Sequence, residues 1–267
     1  MTALDGFSLR VGAQVVDTAA PNAEKPTFAG LYGRRKRIDE AATRLLDVAV
    51  ASLVLALLMP LILVVAAAIK LDSRGPIFFR CRRVGFRGRE LRMLKFRKMR
   101  DGVSGAALTT SNDARFTRLG RFLAKTKLDE IPQLWNVLKG EMSLVGPRPE
   151  DPGFVELRSD DYAMILTVKP GITGLCQLAF AKENEILDSD DIFRDYVERL
   201  QPDKIALDRL YVSRRSMSMD LRIIAWTGVA VLFRRDVAVH RSTAALTLGR
   251  RPGVEIGGVP AHTEARS

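Results

Sequence analysis

Residues 48–69 read VAVASLVLALLMPLILVVAAAI, a run of 22 residues without a charged side chain. Only Ser52 and Pro60 interrupt its apolar character. At about 1.5 Å per residue, a straight helix of this length is just long enough to cross a hydrocarbon core of about 30 Å. The plainest interpretation is a single transmembrane helix with a kink at Pro60.

The sequence on either side of this run favours a helix that enters the membrane and returns to the same face. RRKR at 34–37 and Arg44 precede the run, and Lys70 and Arg74 follow it. The positive-inside rule places both ends on the cytoplasmic face, which a single crossing cannot satisfy. A break at Pro60 would leave two arms of about 11 residues, each reaching about 17 Å, or roughly one leaflet. We therefore predict a proline-broken, re-entrant membrane helix over 34–70, with Arg44 and Asp47 pairing to fix its first arm at the interface.

The sequence that follows the apolar run predicts a mainly helical α+β domain at 71–236. Short strands at 77–79 and 91–96, separated by Gly85 and Gly88, predict a small β-hairpin. Residues 114–125 carry an apolar face and a basic face, a pattern that fits an interfacial amphipathic helix or an ordinary helix facing a core. Helices are also predicted at 131–138, 192–200, 203–214 and 219–233, and a turn at 169–174. Residues 1–33 and 237–267 lack hydrophobic periodicity and are predicted to be flexible tails.

The composition excludes several kinds of site. The only two histidines, His240 and His262, lie in the predicted C-terminal tail, which argues against histidine-based catalysts and His-rich metal sites. Cys81 and Cys176 are isolated, so a disulfide framework is not expected. Apolar residues make up 47% of the chain, enough for a substantial core.

The net charge of +11 is concentrated between Arg74 and Arg100, where eleven cationic residues face the single acidic residue Glu90. Such a field attracts nucleic acid, anionic lipid headgroups or a phosphorylated substrate. Within it, we predict that Arg83, Lys95 and Arg97 bind substrate phosphate, while most of the other charges meet lipid or solvent.

An adjacent pair of carboxylates, Asp129 and Glu130, stands out in LDEIP at 128–132. On a helix their side chains point about 100° apart, so they cannot flank one bond as a glycosidase pair does. One can attack while the other holds a metal ion. The alternative is that Asp129 simply caps the helix whose first turn contains Pro132.

An arginine follows between two prolines, in Gly146-Pro147-Arg148-Pro149. This stiff loop presents one guanidinium, whose planar fork suits bidentate binding of phosphate. The alternative is an arginine that only caps or pairs within a rigid loop.

Taken in order, these motifs resemble those of the bacterial sugar transferases, the monotopic polyprenyl-phosphate phosphoglycosyl transferases that initiate exopolysaccharide and other glycans. The resemblance covers roughly residues 37–236. It rests on Arg44…Asp47, the proline-interrupted apolar run, Gly75-Pro76, RRVG (82–85), LKFRKM (94–99), LDEIPQLWNVLKGEMSLVGPRP (128–149), KPGITGL (169–175) and Tyr211…Ser216…Asp220-Leu221.

The resemblance implies transfer of a hexose 1-phosphate from a nucleotide diphosphate sugar, usually the uridine form, to undecaprenyl phosphate. It implies a covalent phosphosugar intermediate on Asp129 and a Mg²⁺ ion held by Glu130, with Asp129 as a further candidate ligand. The expected place is the bacterial inner membrane, among its lipids, with the catalytic domain facing the cytoplasm. Nothing in the sequence indicates an oligomeric state.

Two other classes compete with this interpretation. A membrane-tethered nucleic-acid binder would use the cationic stretch, but that stretch has few aromatic side chains for stacking and no recognition helix, so we expect no nucleic-acid partner. A scaffold without catalysis would have no need of the acidic pair and Arg148.

Overall fold

The structure is a computed structural model that describes residues 34–102, 113–181, 192–233 and 235–248. Its helices are α1 (Arg34–Asp72), α2 (Arg118–Thr126), α3 (Gln133–Lys139), α4 (Pro152–Glu156), α5 (Ser159–Ile165), α6 (Leu175–Ala179), α7 (Ile192–Asp195), α8 (Gln201–Arg214) and α9 (Met217–Leu232). A π-helical turn, Tyr196–Leu200, joins α7 to α8. The strands are β1 (Phe78–Val84), β2 (Glu90–Phe96), β3 (Ser143–Val145), β4 (Gly171–Thr173), β5 (Val237–Val239) and β6 (Leu246–Leu248).

Helix α1 contains the apolar run, and Glu40–Asp72 is long and apolar enough to cross a membrane. The helix continues through Pro60. Pro60 therefore does not divide α1 into two helices, and the break required by the sequence interpretation is absent, although a proline here still removes one backbone hydrogen bond. The re-entrant course remains a prediction.

Both halves of α1 contact the rest of the chain. In the first half, Ala51 is fully buried in the main hydrophobic core. In the second half, Val65 and Ile69 are buried against Phe96 of β2 and Leu123 of α2. The helix thus lies along the domain at two places about 14 residues, or roughly 20 Å, apart.

Arg44 and Asp47 join α1 to this domain through separate partners. The Arg44 guanidinium donates to the carbonyls of Val137 and Leu138, at 2.6 and 2.7 Å, near the end of α3. The Asp47 carboxylate accepts from the Leu144 N–H at 2.9 Å and from the Ser143 hydroxyl at 3.1 Å. The predicted direct pair is therefore corrected: each side chain holds the helix against the segment 137–144.

The hairpin β1–β2 is confirmed, with antiparallel pairing from Phe78 opposite Phe96 to Val84 opposite Glu90. The predicted turn at 169–174 instead contains β4, which pairs in parallel with β3. This pair holds the segment just before Arg148 against the one following Pro170.

The folded part extends beyond residue 236, which corrects the predicted start of the C-terminal tail. Strands β5 and β6 pair antiparallel, and Val237 and Ala244 are buried in the main core. The Arg241 guanidinium also forms a two-point ion pair with Asp203, at 3.0 and 2.7 Å. The predicted N-terminal tail at 1–33 and the part of the C-terminal tail after 248 lie outside the described residues.

Candidate active site

A left-handed residue between two helical turns positions the acidic pair. Helix α2 ends at Thr126, and Lys127 adopts φ 59°, which redirects the chain into a single 3₁₀ turn, Leu128–Glu130. Helix α3 begins only at Gln133, with Pro132 at its N-cap position and no side-chain cap. The alternative that Asp129 caps this helix is therefore wrong, because the Asp129 carboxylate accepts no hydrogen bond from the first turn of α3.

Glu130 lies among cations. Its Oε1 is 3.0 Å from Lys95 Nζ and 3.4 Å from the Arg148 guanidinium. Burial opposes the charge of Glu130, but the attraction of Lys95 and Arg148 outweighs it and holds the pKa of this carboxyl well below its usual range. Glu130 is thus a permanent anion that gathers two of the predicted phosphate-binding residues.

Asp129 is almost completely buried, with 1% of its surface exposed. Lys98 Nζ lies 2.9 Å from its Oδ2. Apart from this ion contact, neither carboxylate oxygen has a hydrogen-bond partner among the described residues. A buried carboxylate with a single cationic contact and no other donor is costly for stability, and such groups are found where a ligand or reaction uses them.

The loop that carries Arg148 is fixed from both sides. A Cβ on Gly146 would lie only 2.5 Å from the Lys169 carbonyl oxygen, so only glycine permits this approach of two backbones. The Gly171 N–H donates to the Pro147 carbonyl at 2.9 Å. The Arg148 N–H donates to the carboxylate of Asp208 in α8. Burial raises the pKa of Asp208 well above its ordinary value, against the attraction of nearby cations.

A second buried cluster lies at the other end of this loop. Glu150 accepts a short hydrogen bond from the Tyr196 hydroxyl and lies 3.4 Å from Lys204 Nζ. Lys204 also contacts the Tyr196 hydroxyl at 2.8 Å. Arg83 lies 3.2 Å from Asp151 and 3.7 Å from Glu150. Arg83 thus belongs to this cluster rather than to the carboxylates at 129–130.

Arg97 has a different role from the predicted one. Its guanidinium donates to three backbone carbonyls, those of Ser73, Arg74 and Pro76, at 2.8, 2.8 and 2.6 Å. It is 6% exposed. Because all these donors hold the link between α1 and β1, the assignment of Arg97 to substrate phosphate is corrected to a structural one.

The site also contains residues that sequence reasoning missed, namely Lys98, Glu150, Lys204 and Asp208. Lys98 directly follows Arg97 in LKFRKM. The motif led to the prediction of Lys95 and Arg97 as phosphate-binding residues, and Lys98 was not distinguished from them. Glu150 directly follows the GPRP motif, which was the one available signal for it. The contacts of Lys204 and Asp208 join α8 to a loop more than 50 residues earlier, and no local pattern predicts such pairs.

The carboxylates suit a metal ion that takes part of its ligand set from a substrate. No group of three or more His, Cys, Asp or Glu side chains that suits a metal occurs in the described ranges. The carboxylates of Asp129, whose Oδ1 has no partner among the described residues, and of the neighbouring Glu130 offer only oxygen ligands. Mg²⁺ prefers such ligands and usually binds through one or two carboxylates, substrate phosphates and water. The residues present therefore fit Mg²⁺.

Comparison with known proteins shows which family this chain resembles. A family model described as bacterial sugar transferase matches residues 38–234. An undecaprenyl-phosphate glucose phosphotransferase of Komagataeibacter xylinus is 38% identical over 207 residues, which cover 74% of this chain and 37% of the relative. A UDP-glucose:undecaprenyl-phosphate glucose-1-phosphate transferase of Xanthomonas campestris pv. campestris is 42% identical over 198 residues, 72% of this chain and 39% of the relative.

A relative that is covered over nearly its whole length also matches. Exopolysaccharide production protein PSS of Rhizobium leguminosarum bv. phaseoli is 37% identical over 206 residues, which cover 74% of this chain and 98% of that protein. The chain thus spans less than half of the first two relatives and nearly all of the third. The match at 38–234 includes α1, the acidic pair and the Arg148 loop, and on this ground the chain belongs to the bacterial sugar transferase family.

Proposed function

We propose that this protein transfers a hexose 1-phosphate from a nucleotide diphosphate sugar, a UDP-sugar, to undecaprenyl phosphate, and that Asp129 is the nucleophile. The observation that carries the proposal is the buried Asp129 carboxylate. Its Oδ1 has no hydrogen-bond partner among the described residues, and its Oδ2 lies 2.9 Å from Lys98 Nζ. The adjacent Glu130 holds two further cations, Lys95 and Arg148. Relatives whose names specify UDP-glucose and undecaprenyl phosphate support the two substrates.

The chemistry proceeds in two displacements at one phosphorus atom. An Asp129 oxygen attacks the phosphorus that bears the sugar, a new P–O bond forms, and the bond to the bridging oxygen breaks. The mononucleotide leaves with that bonding electron pair. A phosphate oxygen of the lipid then attacks the same phosphorus and the bond to Asp129 breaks. The products are the lipid diphosphate sugar and the original carboxylate, with no oxidation or net proton transfer.

The cations bind and orient the donor. The diphosphate brings negative charge into a site where Lys95 and Arg148 are held together by Glu130, and the guanidinium fork of Arg148 suits two phosphate oxygens. Glu130, with Asp129, would hold Mg²⁺. When bound, that ion neutralises charge on the diphosphate and on the leaving group.

The membrane assignment follows from α1. Residues in both halves of the helix pack on the same domain, including Ala51 in the main core and Ile69 beside Phe96. A helix that crossed the bilayer once, perpendicular to it, would carry one of these contacts away from a domain on one face. This supports a helix that does not cross the bilayer once, with the catalytic domain on the cytoplasmic face of the bacterial inner membrane. A re-entrant course would in addition require a bend at Pro60, where the helix is continuous in this structure.

A cavity under the middle of α1 is suited to the apolar chain of the acceptor. Its volume is about 1030 Å³. Ala56, Met59 and Ile62 line it on the α1 side, and Trp135 lines it on the α3 side. Arg80 and Arg92 also line this cavity and offer positive charge to a lipid phosphate. We assign the isoprenoid part of the acceptor to this space.

The proposal is tested with purified full-length protein in nanodiscs, Mg²⁺ and a panel of UDP-sugars labelled in the sugar phosphate. One donor is expected to label the protein without acceptor, to release one mononucleotide per active site, and to place the mass increase on the peptide containing Asp129. Added undecaprenyl phosphate should remove the label as lipid-linked sugar.

Asp129→Asn is the decisive variant, and Asp160→Asn, at an exposed position in α5, is its matched control. Asp129→Asn should lose labelling and turnover while its thermal unfolding stays cooperative. Full turnover by Asp129→Asn would overturn the assignment. Salt-sensitive DNA binding by a protein inactive on all donors would favour the nucleic-acid class instead.

A further inference from the structure

We propose that Lys98 is a catalytic residue whose ammonium contacts Asp129 before the attack and the transferred phosphoryl group after it. This inference rests on the proposed function and adds a residue to that site. It concerns the only described cation within ion-pair distance of the Asp129 carboxylate.

The first step of the argument is the division of the three cations. Lys95 and Arg148 both contact Oε1 of Glu130. Lys98 contacts Oδ2 of Asp129 at 2.9 Å and has no other acidic partner within 4.0 Å among the described residues. Lys95 and Arg148 thus form ion contacts with the permanent anion Glu130, and Lys98 forms one with the proposed nucleophile Asp129.

The second step distinguishes the two oxygens of Asp129. Lys98 occupies Oδ2, whereas Oδ1 is buried and has no partner in the described part of the chain. Oδ1 is therefore the oxygen assigned to the attack. Lys98 then holds the second oxygen and restricts rotation of the carboxylate, which favours a productive orientation.

The third step follows the charge. Before the attack, the negative charge lies on the carboxylate beside Lys98. As the P–O bond forms at Oδ1 and the bond to the mononucleotide breaks, the carboxyl group of Asp129 loses its own charge, and the mixed anhydride carries its single negative charge on the phosphoryl group. The nearest anionic atoms to Lys98 are then the phosphoryl oxygens on Asp129. A flexible ammonium that is 25% exposed has the freedom to follow them, which a rigid guanidinium lacks.

The fourth step is the support of Lys98 by α2. The Thr117 N–H donates to the Lys98 carbonyl at 3.1 Å. Thr117 also caps α2 by accepting from the Gly120 N–H at 2.9 Å. A Cβ at Gly120 would lie 1.8 Å from the Lys98 carbonyl oxygen, so the first turn of α2 rests directly on this backbone. The Lys98 ammonium in turn lies 5.8 Å from the centre of the Phe116 ring. The backbone under a mobile side chain is thus fixed.

Single-turnover labelling measures the role. Lys98→Met is expected to slow formation of the Asp129 adduct by about 10²- to 10³-fold, the usual effect of removing one stabilising group from a transition state, with less than a threefold change in the KM for the donor. Lys98→Arg should recover part of the rate because it keeps the charge but not the flexibility. Lys125→Met, an exposed lysine in the last turn of α2, should react like the unmodified sequence.

Chemical rescue separates charge from folding. Lys98→Cys treated with 2-bromoethylamine regains an ammonium of nearly the same length, and it should regain at least tenfold in adduct formation over untreated Lys98→Cys. The parent protein treated in the same way controls for modification of Cys81 and Cys176.

Two outcomes overturn different statements. If the parent protein forms no adduct on Asp129, the proposed function fails. If it forms the adduct and Lys98→Met or untreated Lys98→Cys forms it equally fast, the role of Lys98 fails while the proposed function stands. A slow Lys98→Cys protein that alkylation does not rescue also contradicts the inference, because it indicates a structural defect.

Discussion

Arg97 and Lys98 are neighbours in the chain, and their cationic groups serve different parts of the molecule. Arg97 holds the carbonyls of Ser73, Arg74 and Pro76, and Lys98 reaches Asp129. The boundary between a structural cation and a site cation thus falls within one motif, between two adjacent residues just after β2.

Arg97→Met is expected to lower the free energy of unfolding by about 2–4 kcal/mol, because three partly buried carbonyl hydrogen bonds lose their charged donor. The KM for the donor should change less than twofold. Urea unfolding and steady-state kinetics measure the two effects. Arg121→Met, at an exposed position of α2, should alter neither. A stable Arg97→Met protein with a tenfold higher donor KM would restore Arg97 to the phosphate site.

The sequence and the structure agree where local pattern determines the element. The 22-residue apolar run, the hairpin around Gly85 and the late helices all follow from periodicity and turn residues. The parallel pair β3–β4 was missed because each strand has three residues and they lie more than 20 residues apart. Such short strands carry no detectable alternation of their own.

In the candidate site, too, residues within recognisable motifs were predicted, whereas contacts between distant segments were not. Asp129, Glu130, Lys95 and Arg148 were predicted from motifs, and ion contacts join Glu130 to both cations. Arg97 was assigned wrongly because a count of charges does not say which cations will find backbone carbonyls. Lys98 was missed for the converse reason, since its partner lies 31 residues away and nothing in LKFRKM distinguishes it from the lysine three residues earlier.

Gly120→Ala tests the contact between the first turn of α2 and the backbone of Lys98. A methyl group at this position meets the Lys98 carbonyl, so α2 must shift. We expect a loss of about 1–3 kcal/mol in stability from overpacking and a slower Asp129 adduct formation. Gly228→Ala is the matched control, because a Cβ at that helical position meets no atom within 4 Å. It should be neutral or slightly stabilising. If both variants retained the parent's stability and rate, the tight contact would be refuted.

Glu150→Gln removes the anion that balances Lys204, whose side chain is 5% exposed. We expect a loss of about 3–5 kcal/mol, because the buried ammonium of Lys204 loses the carboxylate that neutralises its charge. The double variant with Lys204→Met should recover part of this loss. Thermal and urea unfolding of the cycle give the coupling free energy. Additive losses from the two single variants would show that the pair does not act as a unit.

Ala56→Trp fills the cavity under α1 and should raise the KM for the lipid acceptor by about tenfold, since lost burial of one or two methylene groups costs roughly that factor. Adduct formation from the UDP-sugar, which needs no acceptor, should be unchanged. Leu57→Trp is the matched control, because Leu57 is 75% exposed and does not line the cavity. Equal acceptor KM values for the two tryptophan variants would remove the isoprenoid chain from this cavity.

Asp220 gives the stability a pH dependence of definite sign. It is 2% exposed and accepts from the Tyr211 hydroxyl at 2.7 Å, while the Arg215 guanidinium lies 4.0 Å away. Burial raises the pKa of Asp220 from 3.8 to about 6, and the nearby carboxylate of Asp47 acts in the same direction. The folded protein therefore binds this proton more tightly than the unfolded chain does.

Between pH 4 and 6 the contribution of Asp220 to the free energy of unfolding should accordingly fall as the pH rises, by up to about 1.4 kcal/mol per pH unit. Asp220→Asn keeps an acceptor for Tyr211 and removes the titration, so its stability relative to the parent should improve from pH 4.5 to about 6 and level off towards pH 7. Urea unfolding at half-unit intervals in one detergent measures the difference, with the exposed Asp160→Asn as the control for charge. Parallel stability curves for the parent and Asp220→Asn would show that Asp220 does not titrate in this range, because every other group is common to both proteins and cancels in the difference.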